Sequence, residues 1–275
     1  MTSNKLGKKT VMYLFLILLS CLFLVPMYVL LATSFKSFNE ISATNMWNLP
    51  AQFSFKPFIK AFKHLLPNIL NSFYIAIPAT ILSALFGSLN GYVLAKWRFK
   101  GSNFLFALLL FGMFIPYQSI LIPLVRFLQK IDLYGSIYGL ILVHVIYGIP
   151  ITTLIFRNYY AEIPDALIEA AQVDGAGIFK TYTKVFLPIS IPGFVVVTIW
   201  QFTNIWNEFL FAVTLTNNPA SQPVTVALVN LAGSKVIEWN VQMSGAIISA
   251  IPTLFIYIFL GRYFMRGLLN GSVKG

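Results

Sequence analysis

The stretch Glu169-Ala170-Ala171-Gln172-Val173-Asp174-Gly175, followed by Val185-Phe186-Leu187-Pro188, is a polar island in an otherwise apolar chain. Hydrophobic residues make up 58% of the 275 residues and charged residues 10%, with a mean hydropathy of +0.79, a balance rare in soluble domains. Outward from the island, apolar runs recur roughly at residues 11–33, 71–95, 104–128, 134–156, 189–215 and 244–265. Each reaches the ~20 residues a helix needs to cross a bilayer. The pattern predicts an all-α membrane protein with six transmembrane helices. Trp47, Trp97, Tyr134 and Trp239 fall near the ends of these runs, where amphipathic rings favour the headgroup layer. Pro252 interrupts the sixth run, which neighbouring helices can accommodate.

Net charge is +11, and its distribution decides its meaning. With the N-terminus inside, Lys5, Lys8, Lys9, Lys96, Arg98, Lys100, Arg157, Lys180, Lys184, Arg262, Arg266 and Lys274 lie on the inner side, 12 of the 19 basic residues. Of the rest, Lys36, Lys56, Lys60 and Lys63 share one long loop, whose charge orients a chain less than that of short loops. Positive-inside bias therefore predicts both termini in the cytoplasm, with the island on the same side, and accounts for the charge without nucleic acid. Lys5, Lys8 and Lys9 followed by Leu18-Leu19-Ser20-Cys21 imitate a lipoprotein signal. The apolar run continues far past Cys21, however, beyond the 7 to 15 residues typical of a signal core. Cys21 is the only cysteine, which excludes an intrachain disulfide and a thiolate metal cluster.

The organisation reads as one transmembrane domain over residues 1–275, without repeats or low-complexity segments. Outer loops are predicted at about 34–70 and 216–243, and short turns at 96–103 and 129–133. The largest inner segment, about 158–187, is the island. Ile163-Pro164-Asp165 suits a helix start, because proline is tolerated in the first turn and aspartate complements the helix dipole. Ala166 to Val173 continue as helix, and Gly175 stops it by taking a positive φ. Ile178-Phe179, Tyr182 and Val185-Phe186 form a second short amphipathic stretch before Pro188 opens the fifth span. Glu162, Asp165, Glu169 and Asp174 would be repelled by anionic lipid, so a protein partner with basic groups explains them better.

These residues resemble the signature loop of ATP-binding-cassette (ABC) importer permeases: Glu-Ala-Ala, three residues, Gly, nine residues, Ile, one residue, Leu-Pro. Glu169, Ala170, Ala171, Gly175, Leu187 and Pro188 stand at that spacing, and Val185 replaces the usual isoleucine. The likeness extends nearly end to end to the shorter permease type of the carbohydrate branch. It includes Pro26-Met27-Tyr28, Thr33-Ser34-Phe35-Lys36, Asn71-Ser72-Phe73, Gly91-Tyr92-Val93-Leu94-Ala95, Ile115-Pro116-Tyr117-Gln118, Arg157-Asn158-Tyr159-Tyr160, Trp206-Asn207-Glu208 and the closing Arg266–Gly275 segment. A finer likeness to permeases for glucose and related glucosides rests on Gln201–Asn207, Gln222–Leu228 and Gly271-Ser272-Val273-Lys274-Gly275.

The resemblance implies a type I importer permease in a bacterial or archaeal inner membrane. It implies two separate ATPase subunits that bind ATP and Mg, a second permease forming a heterodimer, and an extracytoplasmic sugar-binding protein. The chain itself would be no enzyme and carry no cofactor. Docking to the ATPase would fall to Glu169, Ala170, Ala171, Asp174, Gly175, Ile178, Phe179, Leu187 and Pro188. The tail Gly271, Ser272, Val273, Lys274 and Gly275 would reach into the ATPase dimer, and the outer loop after Thr216 would meet the binding protein. An importer of a non-sugar solute, such as glycerol phosphate or an amino acid, shares the docking loop and is the runner-up. A secondary transporter fits less well, since only one clear intramembrane acid, Glu208, is present.

Polar residues within the spans are candidates for a sugar path, because each is costly in lipid unless satisfied. Glu208 stands beside Trp206 and Asn207, an aromatic next to hydrogen-bonding groups, the chemistry a sugar requires. Its alternative role is a hydrogen bond between helices that holds the bundle. Tyr117, Gln118, Asn204 and Asn90 are weaker candidates, and in this permease type the partner permease would supply many of the contacts. His144 has no metal-ligand partners nearby in sequence and reads as a packed, hydrogen-bonded group; no metal site is predicted. Gly87-x-x-x-Gly91 and Gly135-x-x-x-Gly139 allow close helix contacts.

Overall fold

The computed structural model describes residues 3–97, 99–233 and 237–272, and every regular element among them is helical. In chain order these are α1 (Ser3–Ser34), α2 (Lys56–Lys96), α3 (Ser102–Phe111), α4 (Leu121–Lys130), α5 (Ile137–Ala161), α6 (Ala166–Val173), α7 (Ile178–Thr181), α8 (Leu187–Ile189), α9 (Ile191–Asn207), α10 (Leu210–Leu215), α11 (Val224–Ala232) and α12 (Trp239–Ser272). Among the described residues, four helices, within α1, α2, α5 and α12, are long and apolar enough to cross a membrane, or up to six spans if each of two bent pairs counts as one.

The first of those pairs differs from the single helix expected at 104–128. The third run bends by 88° between Ser102–Phe114 and Tyr117–Lys130. Pro116 has no N–H to continue the ladder, and it holds Ile115 in extended geometry (φ −74°, ψ 120°). The second pair bends by 76° between Ile178–Ile189 and Ile191–Asn207, at the expected boundary between the island's second helix and the fifth run. Pro188 and Pro192 flank that bend, so the span starts at Ile191 and Pro188 stays on the loop side. A further break at Glu208-Phe209 separates α9 from α10.

The two loops expected on the outer side are also shorter than their hydropathy suggests. The helix α2 begins at Lys56 and runs 41 residues, because Lys56, Lys60, Lys63 and His64 lower the hydropathy without opposing helix, and Pro57 is tolerated in the first turn. The segment after Thr216 contains the nine-residue α11.

The chain forms two compact units, Met1–Leu66 with Leu228–Ser249, and Pro67–Ala227 with Ala250–Gly275. In the first, Lys36 is 2% exposed, and its ammonium donates to the carbonyls of Asn45 at 2.7 Å and Met46 at 3.4 Å. Asn240 Nδ2 donates to the Lys36 carbonyl and Ser244 Oγ to that of Ser34, both at 3.0 Å, tying α12 to the end of α1. Phe35 packs on Phe53, Phe55 and Phe58. Glu40 closes the loop by accepting from Ser37 Oγ at 2.7 Å and the Ala51 N–H at 2.9 Å.

Those bonds, the Ser37 hydroxyl foremost, hold the Glu40 carboxyl below its ordinary value of 4.5. A depressed carboxyl stabilises the loop above its unfolded pKa, and this contribution is lost as pH falls through the lower folded value. Hydrogen exchange at Ala51 is therefore expected to accelerate as pH drops below about 4.5, relative to the intrinsic rate, and Glu40→Gln should remove that pH step.

The second unit is built on the crossing of α2, α5 and α9. A Cβ on Gly87 would lie 2.1 Å from Thr152 Oγ1, and one on Gly148 would lie 2.1 Å from Gln201 Nε2. Thr152 Oγ1 is 2.9 Å from the Ser83 carbonyl across the helix pair and from that of Gly148 on its own helix. Gly135 and Gly139 serve a turn instead: Gly135 has φ +79°, and a Cβ on Gly139 would lie 2.2 Å from the Leu133 carbonyl oxygen. At Gly91 the obstacle is backbone, the Arg157 nitrogen 2.7 Å from such a Cβ. Gly91→Ala is therefore expected to destabilise by about 1–3 kcal/mol, seen as a lower melting midpoint in detergent, because backbone cannot rotate away.

Candidate functional site

The island of charged and small residues folds as a helix, a tight bend and a second helix. The first helix spans Ala166–Val173, and Asp165 before it pairs with Lys96 Nζ at 2.6 Å. The bend is a Schellman motif: the Ala176 N–H donates to the Ala171 carbonyl at 2.9 Å and the Gly175 N–H to that of Gln172 at 3.0 Å. It needs the left-handed φ of +71° at Gly175, and nothing lies within 4 Å of where a Cβ there would stand. The second helix is α7, continued through a wide turn at Tyr182–Phe186 into α8.

One face of this segment is fixed to the rest of the second unit. Ile168, Ala171, Tyr182 and Phe186 are buried, and the Phe186 ring packs tilted against Tyr92 at 4.8 Å and edge-on to Tyr160 at 5.6 Å. Inside that aromatic cluster Ser88 Oγ lies 2.6 Å from the Tyr160 hydroxyl, and the Tyr182 hydroxyl donates to Ser88 Oγ at 3.0 Å. The Tyr92 hydroxyl donates to the Ile178 carbonyl at 3.1 Å, and Lys96 Nζ donates to that of Ile163. The hydroxyls of four buried residues and the buried ammonium of Lys96 thus join α2 and α5 to the segment. Displacement of one would strain the others.

The other face is exposed among the described residues. Glu169, Ala170, Asp174 and Gly175 are exposed, and so are the apolar side chains of Val173 (88%), Phe179 (68%) and Ile178 (47%). Ala171, expected beside Ala170 on the docking face, is turned inward. Leu187 is half-buried and Pro188 exposed beyond the wide turn. Val173 and Leu167 join the outward face; their signal was helical spacing, since Ile168 and Ala171 mark the inward side three residues apart. Of the predicted tail, Val273, Lys274 and Gly275 lie outside the described residues, while the backbone of Gly271 and Ser272 ends α12.

A cavity of about 330 Å³ lies between α5, α9, α10 and the bend after α3. Tyr117, Asn204 and Glu208 line it; Asn207 and Gln118 are exposed elsewhere, and Asn90 does not line it. Glu208 sits in the break after α9, and its carboxylate accepts from the Phe211 N–H at 2.8 Å and the Ala212 N–H at 3.2 Å, capping α10. Trp206 is 2% exposed and packed on Phe202 and Phe73, so it belongs to the core. Beside Tyr117, the cavity wall draws its rings from Tyr147, Trp200 and Phe211, which the sequence did not single out. Phe211 lies 5.0 Å from both Tyr117 and Tyr147, and Trp200 is exposed along the same wall. Trp200, Asn204 and Glu208 recur every fourth residue, the spacing of one helix face. His144 is buried with its ring edge-on to Phe211 at 6.0 Å. Among the described residues, no group of three His, Cys, Asp or Glu side chains could hold a metal ion.

The family model described as binding-protein-dependent transport system inner membrane component matches residues 87–270. A probable ABC transporter permease protein of Pyrococcus horikoshii is 50% identical over 96% of each chain. The xylose/arabinose import permease protein of Haloferax volcanii is 36% identical, with 90% of this chain and 87% of that one covered. The glucose import system permease protein of Saccharolobus solfataricus is 31% identical over 98% of this chain and 96% of that one. A solved bacterial ABC transporter for the acidic polysaccharide alginate includes a chain of the same fold, with TM-score 0.80 and 20% identity over 96% of this chain and 98% of that one.

Proposed function

The chain belongs to the family of binding-protein-dependent transport system inner membrane components, the permeases of ABC importers, and from that premise we propose that it is the membrane-spanning subunit of an ATP-driven sugar importer. Relatives named for xylose/arabinose and glucose import, similar to this chain over most of its length, support sugar as the cargo. Glucose or a related mono- or oligosaccharide fits the finer likeness of the sequence.

The observation that carries the mechanism is the two-faced segment 158–187. Its inner face is fixed to α2 and α5, while Val173, Ile178 and Phe179 stand exposed on the other beside Glu169 and Asp174. An apolar cluster rimmed by acids suits a cleft with basic edges on a cytoplasmic ATPase. In this reading both termini are cytoplasmic, two ATPase subunits close on ATP, and the segment moves with them. Its rigid attachment passes that motion to α2, α5 and α9, which alternate between inward- and outward-open arrangements. A second permease completes the pathway, and an extracytoplasmic binding protein delivers the sugar.

Purification from the native membrane in mild detergent tests this reading. Co-recovery of a nucleotide-binding ATPase and a second permease, with ATP hydrolysis stimulated by a sugar-loaded binding protein, is the expected result. A lone chain or homodimer in a detergent shown to keep such complexes intact would overturn it.

A further inference from the structure

Resting on the sugar-importer reading, the cavity between α5, α9 and α10 carries a narrower statement about what this chain handles. Its walls combine aromatic faces with a small number of polar groups. Phe211 is 4% exposed and supports the rings of Tyr117 and Tyr147, each 5.0 Å away, and Trp200 flanks them from α9. Two carboxamides line the same cavity. Gln201 is fixed by donation from Nε2 to the His144 carbonyl at 3.4 Å, and Asn204 by donation from Nδ2 to that of Trp200 at 2.8 Å. Flat apolar surfaces and fixed amides in one cavity match a sugar ring, which has a C–H face and a hydroxyl rim.

Electrostatics narrows the class. Among the described residues lining the cavity, Glu208 is the one carboxylate, and none is lysine or arginine. Both Glu208 oxygens accept backbone N–H bonds, the pattern of an ionised carboxylate, and those bonds occupy it with α10. A second carboxylate brought into this space would meet that charge with no cation to offset it.

We propose that this cavity is a sugar subsite of this chain itself and selects uncharged sugars. Tyr117, Tyr147 and Trp200 carry the ring, and Gln201 and Asn204 meet hydroxyls. Glu208 is a positioning residue that caps α10, seats Phe211 under the two tyrosines and repels anionic sugars.

The test uses the assembled complex in nanodiscs without nucleotide or binding protein, and measures by equilibrium dialysis the binding of labelled glucose, xylose and glucuronate. Glucose or xylose is expected to bind, with Trp200→Ala and Asn204→Ala each weakening it about tenfold, and glucuronate should bind at least about tenfold more weakly than glucose. Glu208→Gln, which keeps an acceptor for the Phe211 N–H, should narrow the gap between glucose and glucuronate. Neutral-sugar binding that neither substitution moves would place the subsite on another subunit, and glucuronate binding equal to that of glucose would remove the charge selection. ATP-dependent uptake in proteoliposomes with the binding protein separates the two readings. Intact sugar uptake alongside unmoved binding overturns the subsite alone, whereas absence of both uptake and binding for these sugars and for their oligosaccharides overturns the sugar-importer reading as well.

Discussion

Gly175→Val is expected to leave the amount of protein in the membrane unchanged while transport falls by about 30-fold or more, the loss of roughly 2 kcal/mol of docking energy. The backbone at Gly175 has φ +71°, where a β-branched side chain is strained by about 1–3 kcal/mol. The strain is local, because nothing in the chain lies within 4 Å of the added Cβ. The relief available is to reopen the Schellman bend, which would swing Ile178 and Phe179 away from Val173 and break up the exposed apolar cluster. Gly175→Asn should retain most transport, since asparagine tolerates left-handed geometry. The measurements are membrane content by immunoblot, ATPase activity stimulated by the loaded binding protein, and uptake in proteoliposomes. Disappearance of the valine variant from the membrane would make Gly175 a folding residue, and normal uptake would remove the bend from the coupling mechanism.

The helix before that bend was legible in the sequence because its signals are local, although it starts at Ala166, just after the Ile163-Pro164-Asp165 expected to open it. Good helix formers at Ala166 to Val173 are bounded by Pro164-Asp165 and by Gly175, and the structure places α6 over those same residues. The facing of its side chains was not legible from the motif. Ala170 and Ala171 are adjacent in sequence but about 100° apart around a helix, so one faces outward and the other inward. The bent third span was hidden because hydropathy averages over Pro116 without counting the hydrogen bond it removes. At Glu208 no proline or glycine marks the break. A carboxylate turns back to the N–H groups of Phe211 and Ala212, and in sequence this looks like one acid interrupting an apolar run. The cavity wall was harder still: Tyr117 and Tyr147 lie on different elements and meet only through Phe211 on a third.

Two phenylalanines seven residues apart should give opposite phenotypes. Phe186 is fully buried and packs on Tyr92, Tyr160 and, through them, the hydroxyl cluster of Ser88 and Tyr182. Phe186→Ala removes a ring from a site that aromatic neighbours cannot collapse into, so a loss of about 3–5 kcal/mol of stability is expected. That loss should appear as a lower melting midpoint and faster proteolysis of the loop. Phe179 is 68% exposed, and truncating it opens no cavity, so the melting midpoint of Phe179→Ala should stay within experimental scatter. If Phe179 is an anchor in the ATPase cleft, its truncation should still weaken assembly by about 2 kcal/mol, read as ATPase lost from the complex on dilution. Tyr182→Phe isolates the link between the two faces. It keeps the packing and deletes only the hydroxyl that donates to Ser88 Oγ, so assembly should be retained while the sugar transported per ATP falls. An unchanged ratio in Tyr182→Phe would mean that packing around Phe186 transmits the motion without the hydroxyl chain. Equal loss of thermal stability in Phe179→Ala and Phe186→Ala would contradict the two-faced reading of the segment.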